Sequence, residues 1–220
     1  YEWPQAVRET VNLGKKLEHR DFVISAPTGL SSVKAKVIGV IENQAPTKAL
    51  EFDLPVETGK VRVEGDVCYL SLVERHRGTG AVVNGFVSGF GYTGSMAIAS
   101  SVAHDSHHMI VVGTNQEMMA SAANRLGEIG GGVSVWKDGS EVALVELPIA
   151  GLMSDSKASE VAVKAQAIVA AMIDCGCTLN NAYMQHTLLA LVVIPELRIS
   201  DLGLVDVNRF ELTEVLESNS

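Results

Sequence analysis

The sequence predicts an α+β fold with mixed, largely antiparallel sheets and two main helices in the second half of the chain. Short runs of alternating apolar and polar residues fill positions 31–92, as is typical of half-buried strands. Further along, two stretches place apolar residues three or four positions apart, which is typical of amphipathic helices. With 220 residues and 47% apolar content, the chain can bury a core without disulfide bonds.

The β-rich region is predicted to span residues 31–100. Three segments supply its strands: "SSVKAKVIGVI" (31–41), "KVRVEGDVCYLSLVE" (60–74) and "AVVNGFVSGFGY" (81–92). Turn-forming sequences precede or separate them, namely "APTG" (26–29), "ETGK" (57–60) and "RGTG" (77–80). The middle segment contains two short alternating runs around a turn at 64–66. We expect mostly antiparallel pairing, because short connections favour hairpins.

Residues 101–215 are predicted to change to a strand, a helix, a hairpin and a second helix. The apolar run "MIVVG" (109–113) indicates a buried strand. Thr114 and Glu117 have the spacing of a capping box, which predicts the start of a helix that ends at Gly130. The sequence "KDGS" (137–140) between two apolar runs predicts a hairpin turn.

The second helix is predicted to follow the loop at 148–155. Asp155 or Ser156 would cap its first turn, and Gly176 would stop it. Residues 187–207 then predict an apolar strand that ends at Pro195, followed by a turn at 201–203. Gln185 and His186 are interpreted as loop or strand-edge residues.

Charge and composition exclude several classes of partner. The formal net charge is −9 and basic residues are not clustered, which argues against nucleic acid. The longest apolar run, at 188–194, is far shorter than the roughly 20 residues of a membrane span, and the first residues lack a signal-peptide pattern. We therefore expect a cytoplasmic protein that binds no membrane. The three cysteines, Cys68, Cys175 and Cys177, are expected to be reduced and structural.

A first candidate site is the sequence His104-Asp105-Ser106-His107-His108, directly ahead of the predicted strand at 109–113. Polar, titratable side chains there are costly to bury unless they are hydrogen-bonded, bound to a ligand or packed against a partner. A metal site made by His104, Asp105 and His107 is one interpretation. In an extended strand, however, His104 and His107 would point to opposite faces, which favours a site-lining role over metal binding. A solvated strand entrance is the third possibility.

A second candidate site is "ERHRGTG" (74–80), where a predicted strand gives way to a glycine turn. Backbone N–H groups of such a turn can converge on an anion, and Arg75 or Arg77 could clamp that anion. A charged hairpin tip without a ligand explains the same residues equally well. Both interpretations stay open at the level of sequence.

Several stretches, taken in order, resemble the C-terminal region of bacterial adenine deaminases, in the amidohydrolase superfamily. They are "VERHRGTG" (73–80), "GFVSGFG" (85–91), "AIASSVAHDSHHMIVVGTNQEMMASAANRLGEIGGG" (97–132), "LPIAGLMSD" (147–155) and "VIPELRISDLGLVDV" (193–207). The start, "WPQAVRETVNLGKKL" without an initiator methionine, is similar to the family's stretch just after its catalytic barrel. The resemblance therefore predicts a connecting segment at 1–30 and the C-terminal domain at 31–215. Departures from the family pattern occur at His108, at His76-Arg77 and at 182–188.

The resemblance implies hydrolysis of adenine to hypoxanthine and ammonia by a divalent metal, manganese or iron, that is bound in a (β/α)₈ barrel. This chain has no H-x-H motif, so no metal ligand and no catalytic residue is assigned to it. The implied partners are adenine or a related purine and the barrel domain, in a homo-oligomer. A non-catalytic small-molecule binding or regulatory module is the alternative. The residues expected to line the substrate site or the domain interface are Glu74, Arg75, His76, His104, Asp105, Ser106 and His107.

Overall fold

The computed structural model describes residues 2–217. Three α-helices lie within this part of the chain, and two short 3-10 turns precede them at Gln5–Val7 and His19–Phe22. The helices are α1 (Gln116–Ile129), α2 (Ala158–Asp174) and α3 (Ala182–Leu188). None of the helices in residues 2–217 is both long enough and apolar enough to cross a membrane.

Twelve strands in the described residues form two sheets. The large sheet has nine strands in the order β3-β2-β1-β5-β4-β7-β6-β8-β9, and the small one has the order β10-β11-β12. All strand pairs are antiparallel except β1 with β5, which confirms the predicted α+β class. The strands are β1 (Ser32–Val40), β2 (Thr47–Glu57), β3 (Lys60–Val61), β4 (Cys68–Val73), β5 (Val82–Ser88), β6 (Met96–Ser100), β7 (Met109–Gly113), β8 (Gly132–Lys137), β9 (Ser140–Glu146), β10 (Leu197–Ser200), β11 (Gly203–Asp206) and β12 (Glu211–Thr213).

The large sheet is covered on both faces, so two hydrophobic cores flank it. Helices α2 and α3 contribute to one core through Ile168, Met172 and Ala182. Helix α1 and the N-terminal segment fill the other, where Leu17 and Phe22 are buried. Every residue of β4, β6 and β7 is buried as a consequence. The alternating pattern predicted for 60–74 is therefore wrong for β4, because a strand with two covered faces is apolar throughout.

Helix α1 begins one residue later than predicted. The side chain of Asn115, not Thr114, caps it by accepting a hydrogen bond from the Met118 N–H at 3.0 Å. The Thr114 hydroxyl instead donates to the Gly94 carbonyl at 2.6 Å, which ties the strand end to the neighbouring loop. The predicted stop is confirmed, because Gly130 follows the helix with a φ of 81°.

Helix α2 also has a different cap from the predicted one. It begins after Lys157, whereas Asp155 forms an ion pair with Arg8 at 2.7 Å. The carboxylate of Asp155 is thus engaged by the N-terminal segment and not by the first turn of the helix. Gly176 lies just beyond the helix end with a φ of 96°, so the predicted stop is confirmed.

The predicted apolar strand before Pro195 is wrong. Residues 182–188 form α3 and turns follow, so Gln185 and His186 are helical and buried. The strand β10 comes only after Pro195. The buried guanidinium of Arg198 explains this, since it donates to the carbonyls of Leu188 and Ile194 and so satisfies backbone acceptors that a strand would pair with a neighbour. The predicted turn at 201–203 is confirmed between β10 and β11.

Candidate functional site

The antiparallel pairing of β4 with β7 brings the two candidate sites together. Val73 is the last residue of β4 and lies opposite Met109, the first residue of β7. The loop that leaves β4 at Glu74 and the loop that enters β7 from His108 therefore share one end of the sheet. Sequence reasoning found both loops but not their contact, because the register between strands that are distant in sequence is not encoded locally.

Four imidazoles gather at this end of the sheet, and we call His76, His104, His107 and His108 the histidine face. The ring centroids of His76 and His108 are 4.6 Å apart, and those of His104 and His107 are 5.3 Å apart. The Nε2 of His76 lies 2.8 Å from the Ser106 carbonyl oxygen. Since a carbonyl only accepts, this nitrogen carries the proton and donates it.

The segment 104–106 is a turn and not an extended strand, so the predicted divergence of His104 and His107 is wrong. The backbone of His107 has a left-handed φ of 50°, and its N–H donates to the Ala103 carbonyl at 2.7 Å. This closed turn folds the two rings toward each other, and the period of two that separates faces in a strand does not apply. Asp105 and Ser106 are exposed at the tip of the turn.

His107 is held as a neutral imidazole. The backbone N–H of Ala103 donates to its Nδ1 at 3.3 Å, which leaves the proton on Nε2. Burial lowers the pKa of His107, and electrostatic interactions with His104 and Arg75 lower it further. A neutral ring with Nε2–H can donate a hydrogen bond to an acceptor that approaches this face.

His108 is buried between the loops and is only 7% exposed. Its Nε2 lies 3.6 Å from a carboxylate oxygen of Asp201, in the turn between β10 and β11. Burial lowers the pKa of His108 and His76 lowers it further, whereas Asp201 opposes the shift. Sequence reasoning missed Asp201, because only the fold brings the small sheet next to this loop.

Glu74 is enclosed by the turn that follows it. Its carboxylate accepts hydrogen bonds from the backbone N–H groups of His76 (2.5 Å), Arg77 (2.7 Å) and Thr79 (3.0 Å), and from the Thr79 hydroxyl (2.9 Å). Burial opposes ionisation, but the hydrogen bonds from Thr79, Arg77 and His76 outweigh it and lower the pKa of Glu74 to about 2. The turn does gather N–H groups around an anion, as one interpretation predicted, and that anion is the side chain of Glu74.

Arg75 is directed into the protein and is only 1% exposed. Its Nε donates to the His107 carbonyl (2.5 Å), Nη1 to the Thr10 carbonyl (3.3 Å) and Nη2 to the Ala150 carbonyl (3.2 Å). The guanidinium is thus not placed to clamp an external anion. It joins three distant segments, and its burial lowers its pKa. Arg77, by contrast, is exposed.

The N-terminal segment packs directly against the turn at 74–80, which we call the Glu74 turn. Asn12 N–H donates to the Arg75 carbonyl at 2.9 Å. Gly14 approaches Gly78 so closely that an added Cβ would lie 2.0 Å from the Gly78 carbonyl oxygen. Gly14 also has a left-handed φ of 72°, so both its conformation and its contact require glycine.

The residues that the structure describes do not provide a metal centre. No group of three or more His, Cys, Asp or Glu side chains in residues 2–217 is arranged to hold a metal ion. His104, Asp105 and His107, which the sequence offered as possible ligands, do not form such a group. The donors among the described residues therefore form no site for the metal that the family resemblance implies in the barrel, and no chemical step is assigned through one.

Comparison with known proteins matches nearly the whole chain. A family model described as "Adenine deaminase C-terminal domain" matches residues 44–211. A protein of Ruegeria pomeroyi named adenine deaminase is 69% identical over 220 residues, and one of Roseobacter denitrificans with the same name is 68% identical over 218. A more distant adenine deaminase, from Moorella thermoacetica, is 43% identical over 216 residues.

The matches cover 97–99% of this chain but only 36% of each of these relatives. The stretches of this chain matched by the family model and by the Ruegeria pomeroyi relative span the Glu74 turn and the histidine face. The chain belongs to the adenine deaminase C-terminal domain family.

Proposed function

We propose that this chain is the C-terminal part of an adenine deaminase-like hydrolase that converts adenine and water to hypoxanthine and ammonia. The observation that carries the proposal is the 69% identity, over 99% of the chain, to a relative named adenine deaminase. Adenine deaminases in general are metal-dependent hydrolases, and we propose manganese or iron in a barrel domain of the complete polypeptide. The chain spans 36% of that relative, which leaves room for such a domain.

The histidine face is proposed to be the wall that this chain presents to the barrel, at its active-site mouth or at the domain interface. Support comes from the juxtaposition of exposed His76, Asp105 and Ser106 with the buried ring of His108. Buried Nδ1 of His108 has no hydrogen-bond partner within residues 2–217, so a group outside them would satisfy it. Glu74 and Arg75 would support the conformation of the histidine face from the interior of this domain.

The domain division and the location follow from the same proposal. Residues 1–30 would connect the barrel to the domain at 31–215, and the burial of Leu13, Leu17 and Phe22 supports a firm attachment of that connection. We propose a cytoplasmic enzyme, in accord with the sequence pattern. Its partners would be adenine or a related purine and the barrel.

The test measures adenine deamination by the complete polypeptide with His104→Ala or His107→Ala. We expect kcat/KM to fall at least about tenfold while the melting temperature changes little, because these side chains would contact substrate or barrel and not the core of this domain. His19→Ala is the matched control, since His19 is exposed on a 3-10 turn outside the histidine face. Unchanged kinetics with a lowered melting temperature would make the histidine face purely structural.

A second assay tests where the chemistry takes place. The 220-residue chain alone is expected to show no adenine turnover, even with added manganese or iron. Turnover by the isolated chain would contradict the proposed division of labour. Binding of adenine without turnover by the complete polypeptide would favour a non-catalytic module instead.

A further inference from the structure

Two successive hydrogen bonds join the loops that carry the histidine face. Nε of Arg75 donates to the His107 carbonyl oxygen at 2.5 Å, and Nε2 of His76 donates to the Ser106 carbonyl oxygen at 2.8 Å. Adjacent residues of one loop are thus tied to adjacent residues of the other loop. This cross-linking keeps His76 and His107 close together, in accord with the electrostatic interaction between their side chains.

The imidazoles of His76 and His107 are held in opposite tautomers. Nε2 of His76 carries a proton because the Ser106 carbonyl only accepts, so the neutral ring has its free lone pair on Nδ1. In His107 the Ala103 N–H donates to Nδ1 at 3.3 Å, so the proton lies on Nε2. His76 therefore presents a hydrogen-bond acceptor, whereas His107 presents a donor.

Both imidazoles are accessible and fixed before any ligand binds. His76 is exposed and His107 is half-buried. The closed turn of His107, whose backbone N–H donates to the Ala103 carbonyl at 2.7 Å, sets the direction of its side chain. Burial and the interactions with His104 and Arg75 lower the pKa of His107, which keeps its ring neutral at neutral pH. A ligand that binds to this pair therefore loses little affinity to the ordering of side chains.

An acceptor beside a donor is complementary to a planar group that has an N–H and a lone pair side by side. Adenine has this arrangement along the edge formed by its 6-amino group, which donates, and N7, which accepts. Hypoxanthine has two acceptors along the same edge, the 6-oxo oxygen and N7. The two tautomers can therefore distinguish the substrate of the proposed reaction from its product.

The other edge of adenine, formed by the 6-amino group and N1, makes a different chemical demand. Addition of water at C6 moves an electron pair onto N1, which then has to take up a proton from an acid. A neutral imidazole is a poor acid, so His107 is unsuited to this role. N7 keeps its lone pair during the addition and needs only a neutral N–H donor. The edge with N7 is therefore the one that this pair of histidines fits.

We propose that His76 and His107 determine specificity for a 6-aminopurine. Nδ1 of His76 accepts a hydrogen bond from the 6-amino group of adenine, and Nε2–H of His107 donates one to N7. This inference rests on the proposed function and assigns two residues of the histidine face to the substrate. With hypoxanthine, the Nδ1 lone pair of His76 would face the 6-oxo oxygen, and two opposed acceptors favour release of the product.

The first test compares kcat/KM of the complete polypeptide for adenine and for 7-deazaadenine, in which a C–H replaces N7. The readout is the ratio of the two values, because differences in intrinsic reactivity then cancel between variants. His107→Phe keeps a ring but donates nothing, so we expect the preference for adenine to fall at least about tenfold. His107→Gln has an amide N–H near the position of Nε2 and should stay within about threefold of wild type. His19→Phe is the matched control, since His19 is exposed outside the histidine face.

The second test measures inhibition by hypoxanthine. The amide of His76→Asn can rotate and donate to a 6-oxo oxygen, which the lone pair of His76 cannot do. We expect the inhibition constant of hypoxanthine, divided by KM for adenine, to fall at least about tenfold in this variant. A purely structural role of His76 would leave this quotient unchanged. Melting temperatures check that each variant is folded, and His76→Asn keeps the inference testable should His107→Phe fail to fold.

The outcomes separate this inference from the proposed function. An unchanged preference for adenine in His107→Phe, or an unchanged quotient in His76→Asn, would overturn the inference even if wild type deaminates adenine. Absence of deamination by wild type would overturn the proposed function, and calorimetric dissociation constants for adenine and 7-deazaadenine would then replace the kinetic ratio. A wild-type polypeptide that binds neither purine would overturn both.

Discussion

The imidazole of His76 lies 4.6 Å from that of His108, centroid to centroid, with the ring planes inclined by 52°. The ring of His76 is exposed and that of His108 is buried, so the pair extends from solvent into the interior between the loops at 74–80 and 104–108. Protonation of His76 opposes protonation of His108, and Asp201 acts in the opposite direction. The charge state of His108 therefore depends on both loops and on the small sheet.

His76→Asn should raise the pKa of His108. Burial is the main cause of the lowered pKa and will persist, so the value should move toward 6.5 without reaching it. Because the folded-state pKa lies below that of the unfolded chain, stability is lost as the pH falls below about 6.5, and the variant should lose less. Imidazole NMR titration between pH 4 and 8 measures the shift. His19→Asn should leave His108 unchanged, and an unmoved His108 in His76→Asn would refute the coupling.

Glu74→Gln should lower the free energy of unfolding at pH 7 by about 3 kcal/mol. The pKa of Glu74 falls from an ordinary value of 4.5 to about 2 on folding, and each pKa unit corresponds to about 1.4 kcal/mol. This stabilisation is present above pH 4.5 and is lost as the pH falls toward 2, so the difference between variant and wild type should shrink over that interval. Urea unfolding at several pH values tests this. Glu64→Gln, at an exposed position, is the control, and a pH-independent difference would contradict the assignment.

Arg75→Lys should destabilise the protein by about 2–4 kcal/mol. A lysine ammonium lacks the planar fork that reaches three carbonyls in three directions, and buried carbonyls left unpaired are costly. Thermal or urea unfolding gives the overall loss, and hydrogen exchange should accelerate in the turn that contains His107. Arg77→Lys, next to it but exposed, should change stability by less than about 0.5 kcal/mol. Equal effects of the two substitutions would refute the role given to Arg75.

Gly14→Ala should be far more costly than Gly29→Ala. Both glycines have a left-handed φ, 72° and 85°, so each substitution carries a strain of about 1 kcal/mol. Only at Gly14 does the new Cβ meet backbone, 2.0 Å from the Gly78 carbonyl oxygen, whereas nothing lies within 4 Å at Gly29. We expect a loss of at least about 3 kcal/mol for Gly14→Ala, measured by urea unfolding. A similar loss for both variants would mean that the close contact between Gly14 and Gly78 does not contribute to the loss of stability.

Local patterns predicted much of the fold. Both long helices, the hairpin at 137–140 and strands β1, β5 and β7 follow from periodicity and turn residues. The strands that were not predicted are β2, β6, β10, β11 and β12. β2 contains Pro55 and many exposed polar residues, and β6 is short, so their pairing with β1 and β7 decides their conformation. The caps of α1 and α2 were misplaced because competing partners engage Thr114 and Asp155.

The candidate site was predicted as a list of residues and not as a geometry. Glu74 and His107 were identified from their residue types, but the hydrogen bonds that fix them come from turns whose closure depends on glycine and left-handed backbone. His186 shows the same limit. It is fully buried, both of its ring nitrogens lack a partner within residues 2–217, and burial lowers its pKa to about 3. Nothing in its sequence context indicates this.

The three carbonyls held by Arg75 belong to segments near residues 10, 107 and 150. Because one guanidinium contacts all three carbonyls, a displacement of any one segment is transmitted to the other two. Removing the residues ahead of Asn12 would delete the Thr10 carbonyl, one of the three acceptors of Arg75. The loss would also affect His107, although it lies nearly a hundred positions downstream. The orientation of the imidazoles in the histidine face therefore depends in part on the first dozen residues.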